Sequence, residues 1–261
     1  MTILLETRRL EKHFKGLKAV KDFTIEIQEN KIYGLIGTNG AGKTTVINML
    51  SGVLKPSSGE VFFKEHNITG LRPDKIANMG VLRTYQNLRL FKKMSVLENV
   101  LIGAQIHKAY NNVEVIFDLP KFKLEEKRLR KDALDMLEIM GIEDFSDNIA
   151  GSLPYGAQRK LEIARILAAS PKLLLLDEPA AGMNPHESVE LISIIKKIQE
   201  QFNLTILLIE HDMKVVMGLC EYIYAMAFGE IIAQGEPMDI RNNPKVIEAY
   251  LGRARVDAEN I

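Results

Sequence analysis

A glycine-rich segment at residues 37–44 constrains the fold of this chain more than any other feature. It reads Gly-Thr-Asn-Gly-Ala-Gly-Lys-Thr and matches the phosphate-binding pattern G-x-x-x-x-G-K-[ST]. The apolar run at residues 32–36 predicts a buried strand before it, and residues 43–50 predict a helix that stops at Gly52. A strand, a glycine-rich loop and a helix in this order predict an α/β fold with a phosphate-binding loop (P-loop).

The residue types of this loop suit the phosphates of a nucleotide. Its glycines let successive backbone N–H groups face phosphate oxygens, and the following helix adds its positive N-terminal end. Lys43 can reach the β- and γ-phosphates, and the Thr44 hydroxyl can ligate Mg²⁺. An ordinary glycine-rich turn would need neither residue. The expected nucleotide-binding residues here are Gly37, Thr38, Asn39, Gly40, Ala41, Gly42, Lys43, Thr44 and Thr45.

Composition narrows the class of protein. The chain has 261 residues with 34 Lys plus Arg and 34 Asp plus Glu, and this zero net charge disfavours a general nucleic-acid binder. Its one cysteine, Cys220, excludes an internal disulfide and is best interpreted as a small residue in an apolar run. No apolar run approaches the ~20 residues that span a bilayer, and no signal-peptide pattern is present. We therefore expect a cytosolic chain that reaches a membrane only through a partner.

Strand and helix patterns alternate along most of the chain. Strands are predicted at residues 3–10, 18–28, 31–36, 60–63, 80–86, 173–177, 204–209, 222–227 and 230–234, and helices at 43–51, 186–201 and 212–219. Between Ser95 and about residue 169 the pattern is helical, and its charged stretch Lys121–Arg130 fits a solvated helix face. Residues Arg253–Ile261 read as a polar tail. The alternation predicts a mostly parallel sheet covered on both faces.

Polar residues follow two of the later predicted strands. The run at residues 173–176 ends in Asp177 and Glu178, and the run at residues 205–209 is followed closely by His211. Ligands bind outside the carboxyl ends of strands in such sheets. Asp177 is therefore placed to hold Mg²⁺, and Glu178 to polarise an attacking water. His211 can contact the γ-phosphate or the water, although a lone histidine also fits a structural role.

The segment at residues 153–165 resembles the signature motif of ABC ATPases. It reads Leu-Pro-Tyr-Gly-Ala-Gln-Arg-Lys-Leu-Glu-Ile-Ala-Arg, which is similar to Leu-Ser-Gly-Gly-Gln followed by an arginine-rich helix. The order of motifs also matches this family: the P-loop, Gln86, the signature, the carboxylate pair and His211. The resemblance covers residues 4–251.

This resemblance implies a fold, a domain organisation and cofactors. The implied fold is an α/β P-loop NTPase of the ABC ATPase type, with a mostly parallel sheet, an N-terminal antiparallel β part and an inserted helical subdomain. A single domain would span residues 1–261, with a nucleotide-binding core at 1–94 and 166–261 and the helical, signature-bearing subdomain at 95–165. The implied cofactors are ATP and Mg²⁺.

The resemblance also assigns roles to individual residues. Phe14 would stack on adenine, although a core phenylalanine is an open alternative. Gln86 would join Thr44 and Asp177 as a metal ligand, and it would join Glu178 and His211 as a catalytic residue. The signature and D-loop residues expected to contact ATP held by a partner subunit are Leu153, Pro154, Tyr155, Gly156, Ala157, Gln158 and Asn184. Asn184 with Pro185 and Glu187 also predicts a helix N-cap.

Finer details resemble one branch of the family. Residues 83–91, Tyr155 and residues 178–185 look like the ATP-binding subunits of branched-chain amino-acid importers. The implied partners are a second ABC ATPase subunit, as a homodimer or with a sister subunit, transmembrane permease subunits and, indirectly, a solute-binding protein, with no nucleic acid. The implied location is peripheral, on the cytoplasmic face of the cell membrane, and the isolated chain would be soluble.

The sequence features also bear on three alternative functions. An importer ATPase for another solute shares parts of the same pattern. A soluble ABC ATPase usually carries two P-loops or long coiled-coil insertions, and this chain has one P-loop and no sustained heptads. An unrelated P-loop kinase or GTPase is disfavoured by the signature helix and by the absence of a guanine-reading Asn-Lys-x-Asp pattern.

The chain departs from the general family pattern at three positions. Pro154 stands where the signature serine donates to the γ-phosphate, and proline has neither a hydroxyl nor an N–H. Tyr155 replaces the first signature glycine and Asn184 the D-loop aspartate, and both changes agree with the importer branch. Pro154 suggests that the chain works best with a sister subunit that has a different signature.

Overall fold

The structure, a computed structural model, describes residues 2–107 and 120–250. The predicted polar tail lies outside these residues. The described residues fall into two compact units, one within Met1–Arg83, Lys172–Ala181 and Ile195–Ile261, the other within Thr84–Pro171 and Gly182–Ile194. Within the described ranges, no helix is long and apolar enough to cross a bilayer. The domain boundaries expected from the sequence remain a prediction.

The first unit contains two β-sheets. Its strands are β1 (Ile3–Phe14), β2 (Leu17–Gln28), β3 (Ile32–Gly37), β4 (Ser58–Phe63), β5 (His66–Asn67), β6 (Val81–Arg83), β7 (Leu173–Asp177), β8 (Thr205–Ile209), β9 (Tyr222–Ala227) and β10 (Glu230–Gly235). One sheet has the order β2-β1-β4-β5 and is antiparallel. The other has the order β10-β9-β3-β8-β7-β6 and is parallel except for its β9–β10 hairpin. The predicted fold class is confirmed.

The central strands of the larger sheet are buried along their whole length. Every residue of β3, β7 and β8 is buried, as expected for parallel strands covered on both faces. Helices of this unit include α1 (Lys43–Leu50), α2 (Pro73–Met79), α7 (Met213–Leu219) and α8 (Pro237–Asn242). Cys220 is buried as expected, and burial raises the pKa of its thiol to about 12.

The second unit is helical. Its elements are α3 (Val96–Ala104), α4 (Pro120–Ile139) and α5 (Tyr155–Leu167), with part of α6 (Pro185–Phe202), which the two units share. The predicted solvated face lies on α4, where most described side chains from residue 122 to 130 are exposed and Leu129 is buried. A β-carbon added at Gly103 on α3 would overlap the Arg165 carbonyl oxygen of α5, so these helices approach closely.

Several predicted boundaries were wrong. The strand expected at residues 80–86 ends at Arg83, because the carbonyls of Tyr85 and Gln86 accept hydrogen bonds from a side chain rather than from a neighbouring strand. The first strand extends beyond residue 10 to Phe14, where it turns into β2 through a tight hairpin. Helix α2 was missed, although a proline at its first position and the left-handed Gly80 at its end are ordinary helix boundary signals.

The register of the parallel strands positions the candidate site. Ile209 on β8 pairs with Leu35 on β3 and also with Asp177 on β7. The carboxyl ends of the three strands therefore lie in one row. The P-loop, Glu178 and His211 come after the ends of these strands and therefore lie at this edge of the sheet, which is where parallel sheets bind their ligands.

Candidate functional site

The P-loop follows β3 directly. At two of its positions only glycine fits, because a β-carbon would overlap a carbonyl oxygen of a neighbouring strand. A β-carbon at Gly37 would overlap the Met226 carbonyl oxygen on β9. Gly42 is the N-cap of α1 with φ 105°, and a β-carbon there would lie 2.6 Å from the Ala19 carbonyl oxygen of β2. These contacts hold the loop against two neighbouring strands and leave a helix N-terminus at its end.

Lys43 is buried within the loop. Its Nζ donates to the Gly37 carbonyl at 2.6 Å and to the Thr38 carbonyl at 3.1 Å, and the residue is only 6% exposed. The first turn of α1 carries no acidic residue. This turn therefore offers backbone N–H groups and a lysine to an anion, without a carboxylate to repel it.

Phe14 lies at the tip of the β1–β2 hairpin. Its side chain is 44% exposed, and Lys12 Nζ lies 5.4 Å from the centre of the ring. The alternative of a core phenylalanine is therefore excluded. Ala19 of the same hairpin lies against Gly42 of the P-loop, so this exposed ring belongs to a hairpin that contacts the phosphate-binding loop.

Asp177 is held by a buried arginine that sequence reasoning did not single out. Arg83 Nη2 lies 3.1 Å from Asp177 Oδ2, and the two side chains are 7% and 5% exposed. A second guanidinium nitrogen, Nη1, donates to Asn48 Oδ1 on α1 at 2.7 Å and to Oγ of Ser51, the C-cap of α1, at 3.0 Å. Arg83 thus joins the helix that follows the P-loop to the carboxylate expected to hold the metal.

Glu178 and His211 face each other at the sheet edge. Glu178 Oε1 lies 3.6 Å from His211 Nδ1, with the two side chains 16% and 55% exposed. Glu178 has φ 48°, a left-handed conformation that is unfavourable for residues other than glycine. Such strained residues are enriched at functional sites, so the conformation supports a functional role for Glu178.

A buried carboxylate, Glu210, contacts the backbone of both segments that follow β7 and β8. It accepts hydrogen bonds from the backbone N–H of Ala180 at 3.1 Å and of His211 at 3.1 Å. Glu210 is 1% exposed, and this burial raises the pKa of its carboxyl although the backbone donors act in the opposite direction. Its burial and its backbone contacts could not be read from the sequence.

The signature residues begin helix α5 in the second unit. Pro154 is the N-cap with ψ 152°, and in the part of the chain that the structure describes no side chain caps this helix. The side-chain Nε2 of Gln158 donates to the Leu153 carbonyl at 2.8 Å. Because the first turn of α5 also carries no acidic residue, its N–H groups can receive an anion even though Pro154 lacks a hydroxyl.

Asn184 caps helix α6, as predicted. Its Oδ1 accepts from the N–H of His186 and of Glu187, both at 3.0 Å, and Glu187 Oε2 accepts from the Asn184 N–H at 2.9 Å. A β-carbon added at Gly156 would lie 2.7 Å from Glu187 Oε1. The signature turn and the D-loop segment around Asn184 therefore lie side by side within the second unit.

The predicted residues are thus distributed over both units. Phe14, the loop residues 37–45, Asp177, Glu178 and His211 lie in the first unit, while Gln86, residues 153–158 and Asn184 lie in the second. Among the described residues, no group of three or more His, Cys, Asp or Glu side chains could hold a metal ion. Mg²⁺ at nucleotide sites is usually held by one or two carboxylates together with the phosphates, and Asp177 with the exposed Thr44 fits that arrangement.

This sheet edge, with its P-loop, its pair of carboxylates and its histidine, defines a nucleotide-binding protein of the P-loop ATPase class. A family model described as ABC transporter matches residues 20–181. The chain belongs to the ABC transporter family, as its motifs predicted. A second model, described as branched-chain amino acid ATP-binding cassette transporter, matches residues 230–256.

Curated relatives match almost the entire chain. The high-affinity branched-chain amino acid transport ATP-binding protein BraF of Pseudomonas aeruginosa is 43% identical over 251 residues, which are 96% of this chain and 98% of the relative. The protein of the same description named LivG, from Salmonella typhimurium, is 44% identical with the same coverage. The predicted resemblance to ATP-binding subunits of this branch is confirmed.

Solved structures agree with the fold. A crystal structure of an ATP-binding cassette of an ABC transporter in its ADP conformation is 32% identical, with a TM-score of 0.83 over 97% of this chain and 100% of that chain. A nucleotide-free ATP-binding cassette from an ABC transporter is 31% identical, with a TM-score of 0.82 over 95% of this chain and 99% of that chain. Both support an ATP-binding cassette.

Proposed function

We propose that this chain is the ATP-hydrolysing subunit of an importer for branched-chain amino acids. The observation that carries the hydrolytic role is the strand register, which brings the P-loop, Glu178 and His211 to one edge of the sheet. The solute class is inferred from the relatives, which are 43–44% identical over 96% of the chain and are described as branched-chain amino acid transport proteins.

Each residue of the proposed site has a separate role in ATP binding or hydrolysis. Lys43 and the loop amides bind the β- and γ-phosphates and stabilise the transferring phosphoryl group. Glu178 orients and polarises the attacking water, and His211 and Gln86 complete the surroundings of the γ-phosphate. Phe14 stacks on the adenine.

A metal completes the proposed site. Thr44, Asp177 and Gln86 would hold Mg²⁺, which neutralises charge on the phosphates when it is bound with ATP. Arg83 fixes the Asp177 carboxylate through its 3.1 Å contact, so this ligand is already oriented by the protein. The hydroxyl of Thr44 lies in the first turn of α1, next to Lys43.

The proposed partners are a second ABC ATPase subunit and a pair of transmembrane permease subunits. In the assembled dimer each ATP lies between one chain's P-loop and the other's signature segment, residues 153–158, with Asn184 nearby. A solute-binding protein delivers the amino acid, and the complex places this chain on the cytoplasmic face of the membrane. Pro154 favours a sister subunit as the second ATPase.

Uptake by the reconstituted transporter tests this proposal. The complex of this chain with its permease subunits, placed in vesicles with ATP on the ATPase side, should accumulate labelled leucine when the binding protein is added. Excess valine or isoleucine should compete, and lysine should not. Competition by lysine alone would indicate an importer for another solute, and ATPase activity indifferent to the permease would indicate a soluble ABC ATPase.

Comparing the ATPase activity of homodimeric and mixed assemblies tests which subunit pairs with this chain. A fully active homodimer would contradict the need for a sister subunit.

A further inference from the structure

A fully buried ion pair lies on the signature helix. Arg159 Nη1 and Glu162 Oε2 are 2.9 Å apart on α5, and both side chains are 0% exposed. Neither residue belongs to the set expected to touch nucleotide or metal. Their burial therefore calls for an explanation other than direct contact with ATP.

The pair holds the backbone on both sides of Gln86. Arg159 donates to the Tyr85 carbonyl at 2.9 Å through Nη1 and to the Gln86 carbonyl at 3.1 Å through Nη2. Nη2 also lies 3.3 Å from the Tyr155 hydroxyl, at the first turn of α5. One guanidinium therefore connects the segment carrying Gln86 to the start of the signature helix.

Glu162 extends the same contact. Its Oε1 accepts from the Arg89 backbone N–H at 3.3 Å, while its Oε2 accepts from Arg159. Residues 85, 86 and 89 are thus attached to α5 by two charged side chains one helical turn apart. The attachment lies entirely within the second unit.

This arrangement is poorly explained by stability alone. Removing two charges from water costs about as much as their attraction returns, and an apolar pair of similar size is often as stable. Arg159 Nε also has no hydrogen-bond partner within residues 2–107 and 120–250, so the desolvation of the guanidinium is incompletely compensated. What an apolar pair could not provide is a rigid fork that binds two carbonyl oxygens at once.

We propose that Arg159, oriented by Glu162, is a positioning residue that makes the Gln86 backbone and the first turn of the signature helix move as one body. This inference rests on the proposed function, in which Gln86 serves the chain's own ATP and the signature serves the ATP of the partner subunit. One chain thereby transmits the state of one ATP site to the other, and hydrolysis at the two sites is cooperative.

The test is Arg159→Lys in the assembled transporter. Lysine keeps the charge opposite Glu162 but cannot span two carbonyls. ATP affinity of the isolated chain should stay within about twofold, because the P-loop is untouched. The kcat for Mg-ATP should fall at least about tenfold, because a small displacement of a positioned group is costly. The Hill coefficient for ATP should fall toward one.

Lys160→Gln is the matched control. Lys160 is the next residue on α5, and its Nζ pairs with Glu190 Oε1 at 2.6 Å instead of with the Gln86 segment. This variant loses a partly buried ion pair from the same helix. It should retain the kcat and the Hill coefficient of the wild-type transporter, which would separate loss of the Arg159 bridge from loss of charge on the helix.

The outcomes distinguish this inference from the proposed function. A wild-type transporter without ATPase activity would refute the proposed function. An active wild-type transporter with a Hill coefficient of one, or an Arg159→Lys variant equal to the wild type, would overturn the coupling. If Arg159→Lys does not fold, as judged by its thermal melt, Glu162→Gln decides, because it keeps the size and removes only the charge that orients Arg159. Wild-type kinetics in that variant would equally overturn the coupling.

Discussion

Replacing Arg83 by methionine tests whether the buried arginine stabilises the edge of the sheet at Asp177. The change removes the 3.1 Å contact to Asp177 and the hydrogen bonds to Asn48 on α1 and to its C-cap Ser51, at a position where both charged side chains are at most 7% exposed. Breaking one partner of a buried pair costs about 3–5 kcal/mol, because the remaining group stays buried after it has lost the opposite charge. Since whole domains are stable by only about 5–15 kcal/mol, this loss is large.

Urea denaturation of the purified chain measures the effect. The exposed pair Arg72–Asp74, with Nε and Oδ1 3.0 Å apart and side chains 80% and 50% exposed, provides the control, and Arg72→Met should cost less than about 1 kcal/mol. Adding Asp177→Asn to Arg83→Met should recover part of the loss, with a coupling energy of about 1–3 kcal/mol. A cost for Arg83→Met no greater than that of Arg72→Met, or strict additivity with Asp177→Asn, would show that the buried Arg83–Asp177 pair does not stabilise the fold.

Three further predictions follow from individual contacts. Lys43→Ala should weaken ATP binding by at least about tenfold in a nucleotide titration, because the buried cation that we propose binds the phosphates is lost, and unchanged affinity would contradict its role. Glu210 has a raised pKa in the folded state, so its contribution to stability is full below the ordinary glutamate pKa and is lost as pH rises through the raised value. As pH rises from the ordinary glutamate pKa through the raised value, Glu210→Gln should therefore lose less stability than the wild type, as measured by urea denaturation at successive pH values. Parallel curves of stability against pH for the two proteins would contradict this role of Glu210. Gly103→Ala should lower stability by about 1–3 kcal/mol or more, because a β-carbon there overlaps the Arg165 carbonyl and the helices must separate; an unchanged melting temperature would show that they adjust freely.

Features that depend on residues close together in the sequence were predictable from it. The P-loop between β3 and α1, the strands ending at Asp177 and Ile209, and the Asn184 cap all follow from patterns within a few residues. The missed helix α2 also carried local signals, so it could have been found. In contrast, the end of β6 at Arg83 depends on hydrogen bonds from a distant side chain.

The supporting groups could not be predicted, because each acts across a long separation in the chain. Arg83 and Asp177 are 94 residues apart, and Arg159 and Tyr85 are 74 residues apart. Such charged residues on a helix or strand ordinarily suggest solvent exposure, and only the folded chain reveals that they are buried. Sequence patterns thus predicted the groups of the candidate site, and the structure revealed the buried groups that contact them.

Steady-state Mg-ATPase activity of Glu178→Gln is the decisive measurement for the proposed role of this sheet edge in ATP hydrolysis. The variant keeps the size of the side chain and removes its charge, which we propose polarises the attacking water. In the folded chain, Glu178 Oε1 lies 3.6 Å from His211 Nδ1. Glu230→Gln, on the exposed end of β10, is the control and should hydrolyse ATP like the wild type. We predict that Glu178→Gln binds ATP with wild-type affinity and loses nearly all turnover. Steady-state turnover at the wild-type rate would contradict the assignment of Glu178 and, with it, the proposed catalytic edge of the sheet.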